Sequence, residues 1–248
     1  MVLKTEGLVL RQTKYDDWDK ILTIFTRNNG KIQAIAKGAR RPKGSLIVGT
    51  QVFAYSEFLL YRGKNLYQVN QADIIESFFS LRDDLYKLAY ATYIAELVDA
   101  GAVDELANIK LFDLSIKTLR VLSKLKKDYK KLLIAFELKY ISFIGYRPHL
   151  RSCVICNKEL GNRVKLSAAH GGSICEECSY RGYNGYAVSK DIIAKIDQLL
   201  YVPLDNIEEL CIPSKDLNII ESLVLEYVMN HIEKRNFKSL EFLKNLEG

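Results

Sequence analysis

The chain has no long hydrophobic run. No stretch of its 248 residues approaches the roughly twenty apolar residues that a membrane-spanning helix needs, so no membrane contact is expected. The opening Met1-Val2-Leu3-Lys4-Thr5-Glu6 has no cationic stretch leading into an apolar one, which argues against a secretory signal. The expected location is the cytoplasm, where thiols stay reduced. Catalytic equipment is equally sparse. The histidines are three, His149, His170 and His231. No GxxxxGK(S/T) loop, GxGxxG turn or GxSxG elbow occurs, which removes common phosphate-cradling and nucleophile-positioning designs. No His-x-Glu precedes a Pro-Cys-x-x-Cys, so the zinc deaminase arrangement is missing too. Acidic pairs such as Asp16-Asp17 and Asp83-Asp84 read as turns and caps. No enzyme is expected, and no internal repeat or low-complexity tract interrupts the chain.

What is present is an ordinary globular composition, 48% hydrophobic, enough for a proper core. Lys and Arg total 36 against 30 Asp and Glu, a net charge of +6. That excess fits contact with a polyanion without demanding it, so local clusters have to decide.

Hydrophobic patterning divides the chain into a β-rich part at residues 1–78 and a helical part at 79–248. Strands are expected over Val2–Gln12, Lys20–Arg27, Lys31–Lys37, Val52–Tyr61 and Leu66–Ile75. Asn28-Asn29-Gly30 makes the turn between the second and third, because Asn and Gly tolerate positive φ. This spacing suggests a small closed barrel, best matched by an OB-fold, with an SH3-like barrel as the alternative. From Asp83 the period becomes helical, with Leu85, Leu88, Ala89, Thr92, Ala95 and Leu97 recurring on one face. Asn108 caps a helix to about Leu125, and Tyr129–Ile144 forms another that Gly145 and Pro148 end. Helices resume over Ser189–Leu200, Ser214–Lys234 and Leu240–Leu246. The expected fold class is α+β: an N-terminal OB-fold barrel that binds nucleic acid, then a helical domain carrying a four-cysteine zinc finger at about 149–185.

Four of the five cysteines form the sequence Cys153-x2-Cys156-x18-Cys175-x2-Cys178. Two residues between thiols let both sulfurs of one knuckle approach a single tetrahedral ion, and a second knuckle completes the set. Redox-active dithiols and an iron–sulfur centre are the alternatives. Four protein sulfurs leave no open position, so the expected cofactor is one structural Zn2+. Cys211 stands apart and reads as a small buried hydrophobe. His170 reads as exposed beside the Gly171-Gly172 turn.

Two basic clusters stand out. Lys37, Arg40, Arg41 and Lys43 fall in a Gly- and Pro-containing loop without an acid, with Lys31, Arg62 and Lys64 expected on the same domain. Cations grouped this way displace counterions from phosphates. Among Phe53, Tyr55, Phe58, Tyr61 and Tyr67, most belong in a barrel core and one or two should be exposed for base stacking. The second cluster places Lys117, Arg120, Lys124, Lys127 and Lys131 on one face of a helix, if it runs that far. Its ordinary role is a solvated face; beside an apolar seam, Lys117, Arg120 and Lys124 would instead suit an acidic, apolar-ended peptide.

The order of these features resembles the bacterial RecO recombination-mediator family over essentially the full length. The resemblance is carried by Gly7-Leu8-Val9-Leu10, Asp19 to Thr26, Lys37 to Lys43, Ala95 to Asp99, and the junction Phe136-Glu137-Leu138 … Gly145-Tyr146-Arg147-Pro148 … Cys153-Val154-Ile155-Cys156. It continues through Gly171 to Cys175, Tyr227, His231 and Arg235 to Ser239. One departure is Gly44-Ser45-Leu46, where the family usually has Ser and then often another basic residue after Pro-Lys. The resemblance implies binding of single- and double-stranded DNA, strand annealing, partnership with RecR, and contact with the acidic C-terminal tail of single-stranded DNA-binding protein for loading of RecA. A nucleoid-associated place in the cytoplasm follows. An OB-fold-plus-zinc RNA-binding factor and a zinc-dependent hydrolase are the competing functions.

Overall fold

The computed structural model describes residues 2–234 and 236–247; Arg235, one of the residues carrying the resemblance, lies outside them. Five strands, β1 (Val2–Lys14), β2 (Lys20–Thr26), β3 (Gly30–Ala36), β4 (Tyr55–Arg62) and β5 (Tyr67–Glu76), close into a barrel of order β1-β2-β3-β5-β4. This is the five-stranded Greek-key arrangement of an OB-fold. Closure depends on β1, which is long enough to serve two neighbours. Its first half, Val2 to Leu8, pairs with β4, and its second half, Gly7 to Lys14, pairs with β2. A bulge between Val9 and Arg11 bends the strand where it changes partner. β3 and β5 complete the ring through a short parallel contact, Ala34 to Tyr67 and Ile35 to Gln68. Alternate residues point inward, so Val9, Leu22, Ile24, Ile32, Ala34, Phe58, Leu60 and Val69 fill the barrel.

The strand expected from Val52 begins at Tyr55. Residues 52–54 form a turn in which Phe53 takes φ +70° and is buried. Its N–H donates to the Val9 carbonyl at 2.8 Å.

Helices α1 (Leu85–Gly101), α2 (Ile109–Lys124), α3 (Tyr129–Phe143), α5 (Lys190–Tyr201), α6 (Ser214–His231) and α7 (Lys238–Glu247) lie over the predicted helical segments, with α6 ending at His231 instead of Lys234. Asp84, Asn108 and Ser189 cap their helices by accepting from Lys87, Leu111 and Ile192 backbone N–H groups. Leu85 departs from its expected inward position. It is 52% exposed, and burial along α1 begins at Ala89.

The cysteine-bearing segment holds structure that no periodicity announced. Strands β6 (Arg163–Ser167), β7 (Gly172–Cys175) and β8 (Tyr186–Ser189) form a sheet of order β7-β6-β8, and the short α4 (Glu176–Tyr180) follows β7.

The chain clusters into two compact units, one from Met1–Lys124 with Phe237–Gly248 and the other from Leu125–Asn236. Helices α1, α2 and α7 thus belong with the barrel. Phe237 packs edge-on against Tyr93 of α1 at 5.7 Å, and Ser239 donates to the Glu96 carboxylate. No helix among the described residues is long and apolar enough to cross a membrane.

Candidate nucleic-acid interface and cysteine cluster

The basic loop is the start of the β3–β4 connection, and it is fastened to the β1–β2 connection. Gly38 N–H donates to Asp19 Oδ1 at 2.8 Å and Arg40 N–H to the Trp18 carbonyl at 3.0 Å. Ala39 is buried and anchors the loop, while Lys37, Arg40, Arg41 and Lys43 are all exposed. Among the described residues the Arg40 guanidinium donates only to carbonyls, those of Asp16 and Asp17. The loop therefore presents four cations on a fixed backbone. Lys43 holds φ +63°, a conformation that turns the chain back within the loop.

The other barrel cations differ. Lys64 is exposed in the β4–β5 turn. Arg62 is paired with Glu105 at 3.3 Å. Lys31 lies between Asp99 at 3.4 Å and Asp104 at 3.7 Å with a largely covered side chain. Lys31 thus spends its charge holding the β2–β3 hairpin to the α1–α2 connection.

Of the aromatic candidates, Phe53, Tyr55 and Phe58 are buried, Tyr67 is half-buried and Tyr61 is exposed. Two exposed rings escaped the sequence reading, Tyr15 and Trp18 in the β1–β2 connection. Their proximity to Asp16 and Asp17 made that segment look like a plain turn; only its backbone bonds to Arg40 place it against the basic loop.

The second basic stripe is shorter than expected. α2 ends at Lys124, and Lys131 sits on α3, buried, donating to the Leu210 carbonyl at 2.8 Å and paired with Asp128. Of Lys117, Arg120 and Lys124, Arg120 is engaged by Glu76 at the end of β5 through both Nε and Nη2, at 2.9 and 2.7 Å. Lys117 is half-buried and Lys124 exposed.

The four cysteines converge. Their Sγ atoms all lie within 4.8 Å of one another. Sulfurs about 2.3 Å from a central tetrahedral ion are about 3.8 Å apart, and Cys156 and Cys175 are 3.7 Å apart. The first knuckle is a turn closed by Asn157 N–H to the Cys153 carbonyl and Cys153 N–H to the Lys158 carbonyl. Cys175 ends β7 and Cys178 lies in α4.

Burial favours the protonated Cys153 thiol, but backbone N–H groups of Cys175, Cys156 and Ile155 directed at its sulfur bring it down to about 6. Cys178 is pushed up to about 12 by burial and by its hydrogen bonds with the other sulfurs. The backbone thus supports the Cys153 thiolate readily, and a doubly charged cation would supply what Cys178 needs. The donor set fits a closed, four-sulfur metal ion site. Cys211 is exposed, against the expectation of a buried residue, because the segment after Glu209 runs over the surface. His170 is exposed and bonded to Ser167 Oγ at 3.0 Å.

The family pattern described as Recombination protein O N terminal matches residues 1–78, and that described as Recombination protein O C terminal matches residues 82–241. The chain belongs to the RecO family. This RecO chain is 38% identical to the DNA repair protein RecO of Alkaliphilus metalliredigens, over 99% of its own length and 100% of the relative's. It is 32% identical to the DNA repair protein RecO of Acetivibrio thermocellus, over 99% and 97% of the two chains. For that of Moorella thermoacetica the identity is 35%, over 100% and 92%. RecO membership places the chain in DNA repair and recombination.

Proposed function

We propose that this chain is a recombination mediator that binds single- and double-stranded DNA through phosphate contacts and anneals complementary strands without covalent chemistry. The observation that carries this reading is the loop of Lys37, Arg40, Arg41 and Lys43, exposed and fastened at its backbone. A fixed cationic ridge offsets the repulsion between two phosphate backbones and leaves base edges open for pairing. Lys64 extends the cationic surface from the barrel's other connection. Lys31 and Arg62 contribute through their acidic partners, by holding the barrel to the residues before α2.

The mediator role extends to RecR, to the acidic tail of single-stranded DNA-binding protein, and to loading of RecA on coated strands in the nucleoid-associated cytoplasm. On α2, a tail carboxylate would have to exchange with Glu76 for Arg120, flanked by Lys117 and Lys124, so burial of the tail's apolar end must supply most of the affinity. The cofactor is one Zn2+ held by Cys153, Cys156, Cys175 and Cys178. With four sulfurs it supplies rigidity and no open coordination position.

The test is annealing of complementary strands, bare and protein-coated, with Arg41→Ala/Lys43→Ala. Loss of two phosphate contacts should slow annealing and lower the slope of log affinity against log salt by about two. An unchanged slope removes the loop from the interface. Equal or tighter binding of RNA of the same sequence would favour an RNA-binding factor instead.

A further inference from the structure

A groove of about 640 Å3 opens in the barrel-containing unit, lined in part by Gln12, Lys20, Gln51, Phe53, Phe79 and Arg82. Its size falls within the range of about 300–1,000 Å3 for small-ligand sites. Its wall is unusual in one respect: a nearly free aromatic ring. Phe78 takes φ +48° and is buried, and the backbone turn that follows leaves Phe79 61% exposed. An exposed phenylalanine stabilises nothing in the folded chain by itself, so its face is available to a ligand.

The polar lining is two cations, two amides and the Thr92 hydroxyl, with no carboxylate among the lining residues. Lys20 donates to Gln12 Oε1 at 2.9 Å and Arg82 donates to Gln51 Oε1, to the Val52 carbonyl and to the Ser77 carbonyl. Both amide carbonyls are therefore occupied, and neither N–H2 group has an acceptor among the described residues. Neither Lys20 nor Arg40 has an ion-pair partner among the described residues. Burial and the nearby Arg40 charge both lower the proton affinity of Lys20, a cost that an anion between them would relieve. Gln51 and Phe53 lie on the same β3–β4 connection as the basic loop, and Lys20 starts β2 directly after the connection that holds Trp18 and Asp19. Arg40 of the loop acts electrostatically on Lys20 of the groove lining, so the two surfaces are continuous at that pair.

We propose that the groove takes an unpaired base of single-stranded DNA, stacked on Phe79, with an adjoining phosphate between Lys20 and Arg40. This rests on the reading of the barrel as a DNA-binding surface and gives that surface a base-dependent part. The amide N–H2 groups suit the ring carbonyls of pyrimidines, and the ring face serves any base.

The experiment compares an oligothymidine with an abasic strand of equal length, which carries the same phosphates. Wild type should bind the oligothymidine about five- to a hundredfold tighter, the range for one stacked base. Phe79→Ala should bring that ratio close to one and leave the abasic affinity unchanged. Phe79→Tyr should restore the ratio, and Lys20→Gln should weaken both strands alike. A ratio of one in wild type, or a ratio that survives Phe79→Ala, overturns the proposal while leaving the phosphate-binding reading intact. Failure of wild type to bind either strand sinks both readings together. Loss of an acidic peptide's binding in Phe79→Ala with the base ratio unchanged assigns the groove to a peptide and overturns it as well.

Discussion

Lys139 is a cation whose best partner is an uncharged oxygen. Its ammonium donates to the Leu200 carbonyl at 2.6 Å, and burial lowers it from the ordinary 10.5 to about 8. Below pH 8 both folded and unfolded chains carry the proton, and the burial cost is fully present. Between pH 8 and about 10 the unfolded chain holds more protons than the folded one, so stability rises with pH. Above pH 10 the sign reverses. Burial pushes Tyr55 and Tyr227 up to about 12 and raises Tyr140 as well, so the unfolded chain ionises first. The urea midpoint should therefore climb from pH 8 to about 10 and then fall. Lys139→Met should shrink the climb, leaving only the smaller part that Lys20 contributes, and keep the fall; a climb of unchanged size in the variant would clear Lys139 of responsibility.

At the scale of elements, β7 and the first knuckle are locked by one close approach. A Cβ on Gly172 would lie 2.2 Å from the His149 carbonyl oxygen and 2.9 Å from its nitrogen, both backbone atoms. That spacing allows His149 N–H to reach Gly171, Ser173 N–H to reach His149 and Val154 N–H to reach Ser173. Gly172→Ala should push Cys175 away from Cys153 and Cys156 and cost about 2 kcal/mol or more. In metal-loaded wild type an alkylating reagent should modify Cys211 rapidly and the other four thiols slowly. In Gly172→Ala all five should react, and bound zinc should fall well below one per chain. Retention of full zinc would mean that the knuckles tolerate the displacement.

The same elements show what a sequence can disclose. Strands β1 to β5 were legible from branched and aliphatic runs separated by turns, and α2 because its cap and apolar stripe agree; the buried face of α1 was not, since Leu85 is exposed while Tyr93 and Ile94 are fully buried. Strands β6 to β8 were not, since they are short and β7 is buried throughout, leaving no alternation. The cysteine cluster was legible from spacing alone. The pairing state of the cations was not: Glu76 lies 44 residues from Arg120, and Asp99 lies 68 from Lys31. Nor did Phe78-Phe79 reveal which ring faces outward, because a single left-handed backbone angle decides it.

At the scale of the molecule, the barrel-containing unit is discontinuous in sequence, and its last segment matters out of proportion to its length. Phe237 is buried against Tyr93, and loss of such a side chain costs about 3 kcal/mol or more. Trp18, the single tryptophan, lies in that unit and reports its unfolding. Deletion of residues 237–248 should lower the Trp18-detected midpoint. Zinc content should stay unchanged, because all four cysteines lie within Leu125–Asn236. An unchanged midpoint would show that α7 is dispensable to the barrel unit. The discontinuity also sets an order of events during synthesis. The ribosome delivers the barrel, α1 and α2, and then must complete all of Leu125–Asn236 before α7 emerges. At ordinary elongation rates that delay is on the order of ten seconds. The four-cysteine unit is complete while the barrel unit still waits for α7, so in a nascent chain the proposed ion would find its ligands before the unit that carries the basic loop is fully assembled.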